Sequence, residues 1–395
     1  MRTRYWIIAL AVMLMLALAA CGGGAAPAAP AAPTTAPAAA QPAAPTAVPA
    51  APKATEAPKA AAPTAVPAAP KATEAPKAAA TSAPAASAGA SGKPFRVALI
   101  LPSAKNDLSF SQSMYDAVAS MQNQLGKDKF EFAYSENMSN VTDAAAAIRD
   151  YASKGYDLII AHGSQYGASL ADIAPDFPKQ SFAWGTAVDT FENKGIKNIF
   201  AYTVASDQGG YVEGTMGAKL SKSGILGYIG PLPVGDGKLT GDGFVAGAKA
   251  TNPDAKTQVT YVNSFSDVAL ASQAAQTQIA SGADVLAGTS QNMVGAVSVV
   301  KDKNALWFGN DVDQSSLAPN NVVASQVYDW TYALKGMMDD ISKGKLGTSV
   351  YTLTLKNGGL KMVNNPQFNL PPDVKALADK TIQGIIDGSI KTGGQ

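Results

Sequence analysis

Short apolar runs alternate with segments of helical spacing along residues 93–395. The first run, 95–101, is almost continuously apolar, which is typical of a parallel strand covered on both faces. A proline ends this run, and Asn106, Asp107 and Ser109 then offer caps for a helix with regularly spaced apolar positions. The stretch predicts a strand, a turn and a helix start, which is where α/β sheets collect ligands.

The same rhythm recurs in two series. The first predicts strands at 95–101, 130–134, 156–161, 180–184 and 198–203, with helices near 110–124, 141–153 and 165–173. The second predicts helices near 210–220, 239–250, 268–280 and 292–300 and strands at 225–229, 258–262, 284–287 and 305–308. Alternation of this kind predicts parallel sheets with helices on both faces. Because the strand–helix alternation begins a second time, the sequence favours an α/β fold of two doubly wound, Rossmann-like lobes over one long sheet.

Three further segments follow the second series. They are an extended stretch at 322–326, a helix near 329–343 and an extended stretch at 349–355. We expect the chain to return to the first lobe near Ser325 and to leave it near Ser349, which makes three crossings and therefore a hinge. The expected lobes are 93–204 with 326–348, and 205–325 with 349–395.

The first 20 residues have the pattern of a signal peptide. Arg2 and Arg4 precede an apolar core, residues 6–18, that is short for a membrane span. The core closes with Leu-Ala-Ala-Cys21, which resembles the bacterial lipoprotein signal, in which the cysteine is diacylated. We expect Cys21 to anchor the protein to the outer face of the cell membrane by lipid. An ordinary secretory peptide with an incidental cysteine is the alternative.

Residues 21–92 consist largely of Ala, Pro and Thr, and the unit at 46–63 recurs from residue 64. Such a segment cannot bury enough apolar surface to order itself, and its prolines keep it extended. We expect a disordered tether that spaces the body from the membrane, with neutral low-complexity drift as the alternative.

Charge and composition weigh against several functions. The chain has a net charge of +1, but its basic excess lies in residues 1–92, so the body is mildly acidic and unsuited to nucleic acid. His162 is the only histidine and Cys21 the only cysteine, which argues against a metal site or an imidazole-based enzyme. The Gly-Asp-Gly turns at 235–237 and 241–243 do not complete a nucleotide-binding pattern. We expect neither a cofactor nor catalysis.

A series of short motifs, in one order, carries a family resemblance. They are Val97-Ala-Leu-Ile-Leu-Pro, Asn106-Asp-x-Ser-Phe110, Gly155-Tyr-Asp-Leu-Ile-Ile-Ala-His-Gly163, Asp207-Gln-Gly-Gly-Tyr-Val-Glu-Gly214, Gly243-Phe-Val-Ala-Gly-Ala-Lys249, Asn263-Ser-Phe-Ser-Asp267 with Gly282-Ala-Asp284, and Gly309-Asn-Asp-Val-Asp-Gln314. The body resembles the basic membrane protein family of substrate-binding lipoproteins of ABC transporters, some of which bind purine nucleosides. The resemblance implies a type I periplasmic-binding-protein fold, a purine nucleoside or base as ligand, and an ABC permease and ATPase as partners.

The resemblance also implies roles for single residues. It places Asp107 on the edge of the base, Phe110 and Phe265 on its two faces, and Asp311 on ribose hydroxyls. The chain departs from the family pattern in two places, since 182–186 lacks a carboxylate and no lysine directly follows 325–328. A sugar is therefore either held differently or absent from the ligand.

The residues themselves support a similar site. A flat, neutral heterocycle is bound by aromatic faces and a few fixed polar groups at its rim. Core packing is the alternative role for each phenylalanine, and helix capping for the aspartate at 107. The candidate ligand-binding residues all lie at or after predicted strand ends and are Asn106, Asp107, Phe110, Gly163, Ser164, Trp184, Phe265 and Asp311.

We therefore expect an anchored receptor that captures a small neutral solute for an ABC importer. Three alternatives remain open from the sequence. The protein could signal its closed form to a membrane partner without transport, it could bind a sugar or another small solute, or it could be an enzyme on the same scaffold.

Overall fold

The computed structural model describes residues 92–393. The expected signal peptide, Cys21 and almost all of the tether lie outside the described residues. Within 92–393, no helix has the length and apolar character needed to span a membrane. The strands are β1 (Phe95–Ile100), β2 (Phe130–Ser135), β3 (Leu158–His162), β4 (Ser181–Gly185), β5 (Ile199–Val204), β6 (Ile225–Gly230), β7 (Lys256–Tyr261), β8 (Val285–Gly288), β9 (Leu306–Asp311), β10 (Val322–Tyr328), β11 (Val350–Leu353) and β12 (Leu360–Asn364).

The α-helices alternate with these strands along most of the described chain. They are α1 (Phe110–Leu125), α2 (Val141–Ser153), α3 (Gly167–Ile173), α4 (Ser206–Leu220), α5 (Gly235–Thr251), α6 (Val268–Ala280), α7 (Met293–Asp302), α8 (Thr331–Ser342) and α9 (Pro372–Asp387).

The first sheet is parallel throughout, in the order β11-β5-β4-β3-β1-β2. β1 lies inside it, and Leu99 pairs with Tyr134 on one side and Ile160 on the other. Helices α1 and α8 pack on one face of this sheet and α2 and α3 on the other. Residues 97–101 are completely buried, as the unbroken apolar run predicts.

The second sheet has the order β12-β10-β9-β8-β6-β7, and only β12 runs antiparallel to its neighbour. Helices α4, α5 and α9 cover one face, and α6 and α7 cover the other. One hydrophobic cluster contains residues of both sheets, including Tyr202, Tyr228 and Trp330. The two α/β lobes expected from the sequence are confirmed, and they share a packed hinge region.

The last two crossings lie later than the sequence indicates. Tyr328 still pairs within the second sheet, so the chain crosses to the first lobe after β10 rather than at Ser325. Residues 350–353 pair in parallel with β5, and the Ala201 amide donates to the Ser349 carbonyl, which puts this segment in the first lobe. The chain returns between Leu353 and Leu360. The boundary at 349 failed because the partner of β11 lies about 150 residues earlier in the sequence.

Helices α4 and α5 cross at unusually close range. A Cβ added to Gly214 would lie 2.0 Å from the Phe244 carbonyl oxygen, and one added to Gly247 would lie 2.0 Å from that of Tyr211. Each helix thus presents glycine to the backbone of the other. The contact positions the first turns of both helices beside the carboxyl ends of the second sheet.

We predict that Gly214→Ala lowers the free energy of unfolding by roughly 1–3 kcal/mol, because the methyl group forces the two backbones apart. Urea denaturation measures this change. Lys249→Ala, at an exposed position of α5, is the control and should be nearly neutral. Alanine favours helix more than glycine does, so a Gly214→Ala protein as stable as the parent would show that the close crossing does not limit this position.

Candidate ligand-binding cleft

The two lobes touch through loops at the carboxyl ends of their sheets. The Ser109 hydroxyl, before α1, donates a 2.5 Å hydrogen bond to the Asp311 carboxyl at the end of β9. Nearby, the Gln314 side chain donates to the Leu108 carbonyl oxygen over 3.1 Å. The carboxyl edges of the two sheets therefore face each other across a cleft that is closed at this point.

Asp107 shapes the loop that carries Ser109. One carboxyl oxygen accepts from the backbone amides of Ser109 and Gln112, at 2.9 and 3.1 Å. The other accepts from the Ser111 amide at 3.1 Å and from the Ser103 hydroxyl at 2.5 Å. The carboxylate thus caps the start of α1, the role that the sequence left open beside ligand binding. Asn106, its neighbour, is exposed.

Phe110 is held in a stack of rings on the first lobe. Its ring lies 3.8 Å from the His162 ring at an interplanar angle of 11°, and Tyr202 continues the stack beyond the imidazole. Trp330, from the crossing after β10, meets all three rings edge-on. Its indole N–H donates to the Ser113 hydroxyl on α1 over 2.8 Å. One face of Phe110 is therefore fixed by the protein, and the hinge segment braces it.

His162 is a neutral structural residue in this stack. Its Nε2 lies 2.9 Å from the Phe110 carbonyl oxygen, which can only accept, so Nε2 carries the proton. The Tyr202 hydroxyl then donates to Nδ1, also over 2.9 Å. Complete burial lowers the pKa of the imidazole to about 3, although the Phe110 carbonyl opposes this change.

Asp311 is a buried carboxyl at the lobe contact. It is 2% exposed, and its backbone lies in the left-handed region at φ 69°, an uncommon conformation that often occurs at functional sites. Burial raises the pKa of this carboxyl to about 7, with Asp107 and Asp236 contributing repulsion and the Ser109 hydroxyl opposing the rise. The side chain can accept hydrogen bonds from a group in the cleft.

Asp236 is a second cleft carboxyl, which the sequence analysis treated only as part of a turn. It lies in the first turn of α5, where the Thr186 side chain of the first lobe faces it as a hydrogen-bond donor. Burial raises the pKa of this carboxyl to about 7, and Thr186 opposes the rise. Its place after β6, at the carboxyl edge of a parallel sheet, was the signal that could have identified it.

The other predicted residues are spread along the same two edges. Phe265 follows β7 with 48% of its surface exposed, and its carbonyl accepts from Ser290. Trp184 packs within the first lobe, since its ring stacks on Phe191 at 5.4 Å and its N–H donates to the Asp189 carbonyl. Gly163 is buried and Ser164 is exposed, in the turn after β3. Of the predicted residues, Asp107, Phe110 and Asp311 lie beside the Ser109–Asp311 lobe contact.

Two surface cavities differ in their relation to these residues. One, of about 420 Å³, lies between α1 and the ends of β9 and β10, and its walls include Gln112, Asp311 and Tyr328. The other, of about 680 Å³, lies on the first lobe between the segments 174–178, 192–198 and 344–348. Asp311 is the only predicted site residue that lines the smaller cavity, and none lines the larger one.

Residues 95–392 match the family described as Bmp, ABC transporter substrate-binding protein, PnrA-like. The chain belongs to this family. The Bmp family consists of substrate-binding proteins rather than enzymes, and its match confirms the resemblance drawn from the motifs. A purine-binding protein of Brucella abortus is 30% identical over 263 residues, 67% of this chain and 73% of that protein.

Two further comparisons agree with the Bmp assignment. The ABC transporter nucleoside-binding protein BmpA of Lactococcus lactis is 28% identical over 306 residues, 72% of this chain and 85% of that protein. An ABC transporter solute-binding protein from Conexibacter woesei has a similar fold, with a TM-score of 0.62, 22% identity, and coverage of 75% of this chain and 98% of that one. The periplasmic-binding-protein fold expected from the sequence is confirmed.

We predict that His162 of this Bmp-family protein does not titrate between pH 5 and pH 8, because burial holds the imidazole neutral. Its ¹⁵N resonances, recorded on untagged protein, should stay at the positions of the Nε2–H tautomer throughout. Since the chain has one histidine, no other ring overlaps with it. A titration midpoint near the ordinary value of about 6.5 would mean that water reaches the stack.

Proposed function

We propose that this Bmp-family protein is the lipid-anchored receptor of an ABC importer, and that it binds a purine nucleoside or base between its lobes and delivers it to the permease and ATPase. The observation that carries the proposal is the Ser109–Asp311 contact beside the braced ring of Phe110. It combines a flat apolar face with a polar acceptor at the closing point of the cleft. Relatives named as purine-binding and nucleoside-binding proteins support this ligand class.

The aromatic part of the site suits a flat heterocycle. His162 occupies one face of Phe110, which leaves the other face for a ligand. Phe265 lies on the opposite lobe, and 48% of its surface is exposed. In the proposed complex the two rings cover the two faces of a base, and stacking on an aromatic ring contributes roughly 1–3 kcal/mol per base.

Closure around the ligand also accounts for delivery. At the cleft the lobes meet through a few polar side chains, away from the apolar cluster at the hinge, so a ligand that bridges them there shifts the balance between open and closed forms. A transport complex in the membrane can recognise the closed form. Acylation at Cys21 would keep the receptor at that membrane, and residues 21–92 would give it reach.

We predict that Phe265→Ala weakens adenosine binding by about 5- to 150-fold, the equivalent of one lost stacking contact. Phe265 is the better test of stacking than Phe110, because its exposed ring leaves the core intact when removed. Isothermal titration calorimetry measures the dissociation constant. Tyr332→Ala removes an exposed ring from α8 and should leave affinity unchanged.

Equal adenosine affinity for the Phe265→Ala and parent proteins would contradict stacking on this lobe. Turnover of adenosine during the titration would instead indicate an enzyme.

A further inference from the structure

The second lobe contains a group of polar side chains beneath the lobe contact, all of them buried except Asp236, which is half-buried. Three carboxyls belong to it, Glu213 on α4, Asp236 on α5 and Asp311 at the end of β9. Three neutral polar side chains of the sheet, at the carboxyl ends of β9 and β10, complete it. We call the group the acidic chamber, and its members are Glu213, Asp236, Asn310, Asp311, Gln326 and Tyr328.

The register of the sheet places these side chains together. Gln326 on β10 is the partner of Asn310 on β9, and Tyr328 lies two residues further along the same face. A Cβ on Gly209 would lie 2.3 Å from the Gln326 side-chain oxygen, so Gln326 points at α4. Glu213 lies one turn further along that helix, and amide groups of Gln326 face its carboxyl. Burial and then the three carboxyls raise the pKa of the Tyr328 phenol, as expected if all of them are near it.

Several polar atoms of the chamber have no partner within residues 92–393. They are Glu213 Oε1, both side-chain amide atoms of Asn310, both of Gln326, and the Tyr328 hydroxyl. These four residues are at most 3% exposed. Buried polar groups are almost always hydrogen-bonded in native proteins, and leaving them unpaired costs free energy. So many unpaired atoms in one place indicate that the chamber receives a polar occupant.

The charge of the chamber limits what that occupant can be. Within the described part of the chain, none of the three carboxyls forms a salt bridge with lysine, arginine or histidine. No three acidic, imidazole or thiol groups of residues 92–393 are placed to share a metal ion. Burial raises the pKa of Asp236 and Asp311 to about 7 and that of Glu213 well above its usual range, as expected for carboxyls that have no positively charged partner. A negatively charged group would meet both repulsion and desolvation.

A ligand can reach the chamber from the cleft. Asp311 and Tyr328 line the cavity of about 420 Å³ between the lobes, and Asp236 faces Thr186 across the same cleft. The chamber thus adjoins the space between the lobes at Asp311, Tyr328 and Asp236. Its carboxyl and amide oxygens outnumber its donors, which suits a group with several N–H or O–H bonds.

We propose that the chamber receives the part of the ligand that donates hydrogen bonds and carries no negative charge. This inference rests on the function proposed above. Asp236 and Glu213 select for this group together with Asp311. Sugar hydroxyls and a protonated amine both have this chemistry. The carboxyl missing from the end of β4 is then supplied from the opposite lobe by Asp236, which lies against Thr186.

Calorimetry with adenine, adenosine and adenosine 5′-monophosphate tests the inference. Asp236→Asn and Glu213→Gln should each weaken adenosine binding about tenfold, since one well-made hydrogen bond is worth roughly up to that factor. The affinity for adenine, which lacks the sugar, should fall less than about twofold in either variant. Asp242→Asn is the matched control, because this exposed carboxyl on α5 pairs with Lys238 outside the chamber. The monophosphate should bind at least about tenfold more weakly than adenosine to the parent protein.

The two sources of donors are separated by 3′-amino-3′-deoxyadenosine. If this amine binds the parent protein more tightly than adenosine does at pH 6, the chamber receives a cationic group. If it binds equally or more weakly, the chamber receives hydroxyls. The inference is overturned if the monophosphate binds as tightly as adenosine, or if both chamber variants keep adenosine affinity within about twofold.

Failure of the proposed function gives a different result. If neither adenine nor adenosine binds, the purine assignment is wrong, and thermal denaturation with D-ribose and ribose 5-phosphate then tests the chamber alone. Stabilisation by ribose and not by the phosphate supports the inference, provided that Asp236→Asn abolishes it. Stabilisation by both sugars, by the phosphate alone or by neither contradicts it, and the last result leaves ordered water as the occupant.

Discussion

The hydrogen bond between Ser109 and Asp311 is the interaction on which the closed arrangement of the lobes depends. It joins the loop after β1 to the end of β9 and removes the carboxyl almost completely from water. A single neutral hydroxyl offsets little of the cost of burying a carboxylate. A ligand that donates a hydrogen bond to this carboxyl would therefore stabilise the closed form. In the proposed receptor, binding and closure are in this way one event.

The ring stack ties the ligand site to the hinge. Trp330 belongs to the crossing after β10, yet it packs against Phe110, His162 and Tyr202 of the first lobe. Only the ring of Phe110 would thus separate a ligand on its free face from Trp330 of the hinge segment. Because the imidazole is neutral and hydrogen-bonded at both nitrogens, the stack remains rigid across the physiological pH range.

Much of the fold could be predicted from local signals in the sequence. The helices 141–153 and 268–280 were predicted with correct bounds, and each begins after a side chain, Asn140 or Asp267, that caps two backbone amides. The starts of α4 and α5 were missed by four residues, since both are rich in glycine and have no capping side chain. Their close packing, which is a tertiary effect, forms those first turns.

The site was harder to predict because its chemistry depends on partners distant in sequence. Asp107 remains a predicted ligand residue, but the sequence does not show that its carboxyl also accepts hydrogen bonds from amides of its own loop. Asp236 looked like part of a turn because nothing local shows that Thr186 of the other lobe faces it. Asp311 was predicted as a ligand residue from its place at a strand end and from the family motif, and the strand-end position is a signal that applies to parallel sheets in general.

The account is tested most directly by a crystal structure of the protein purified with its own retained ligand. It predicts a flat ring on the free face of Phe110 and, against Asp311, a group that donates hydrogen bonds and has no negative charge. A ligand bound outside the cleft, or one that places an anionic group against Asp311, would contradict it.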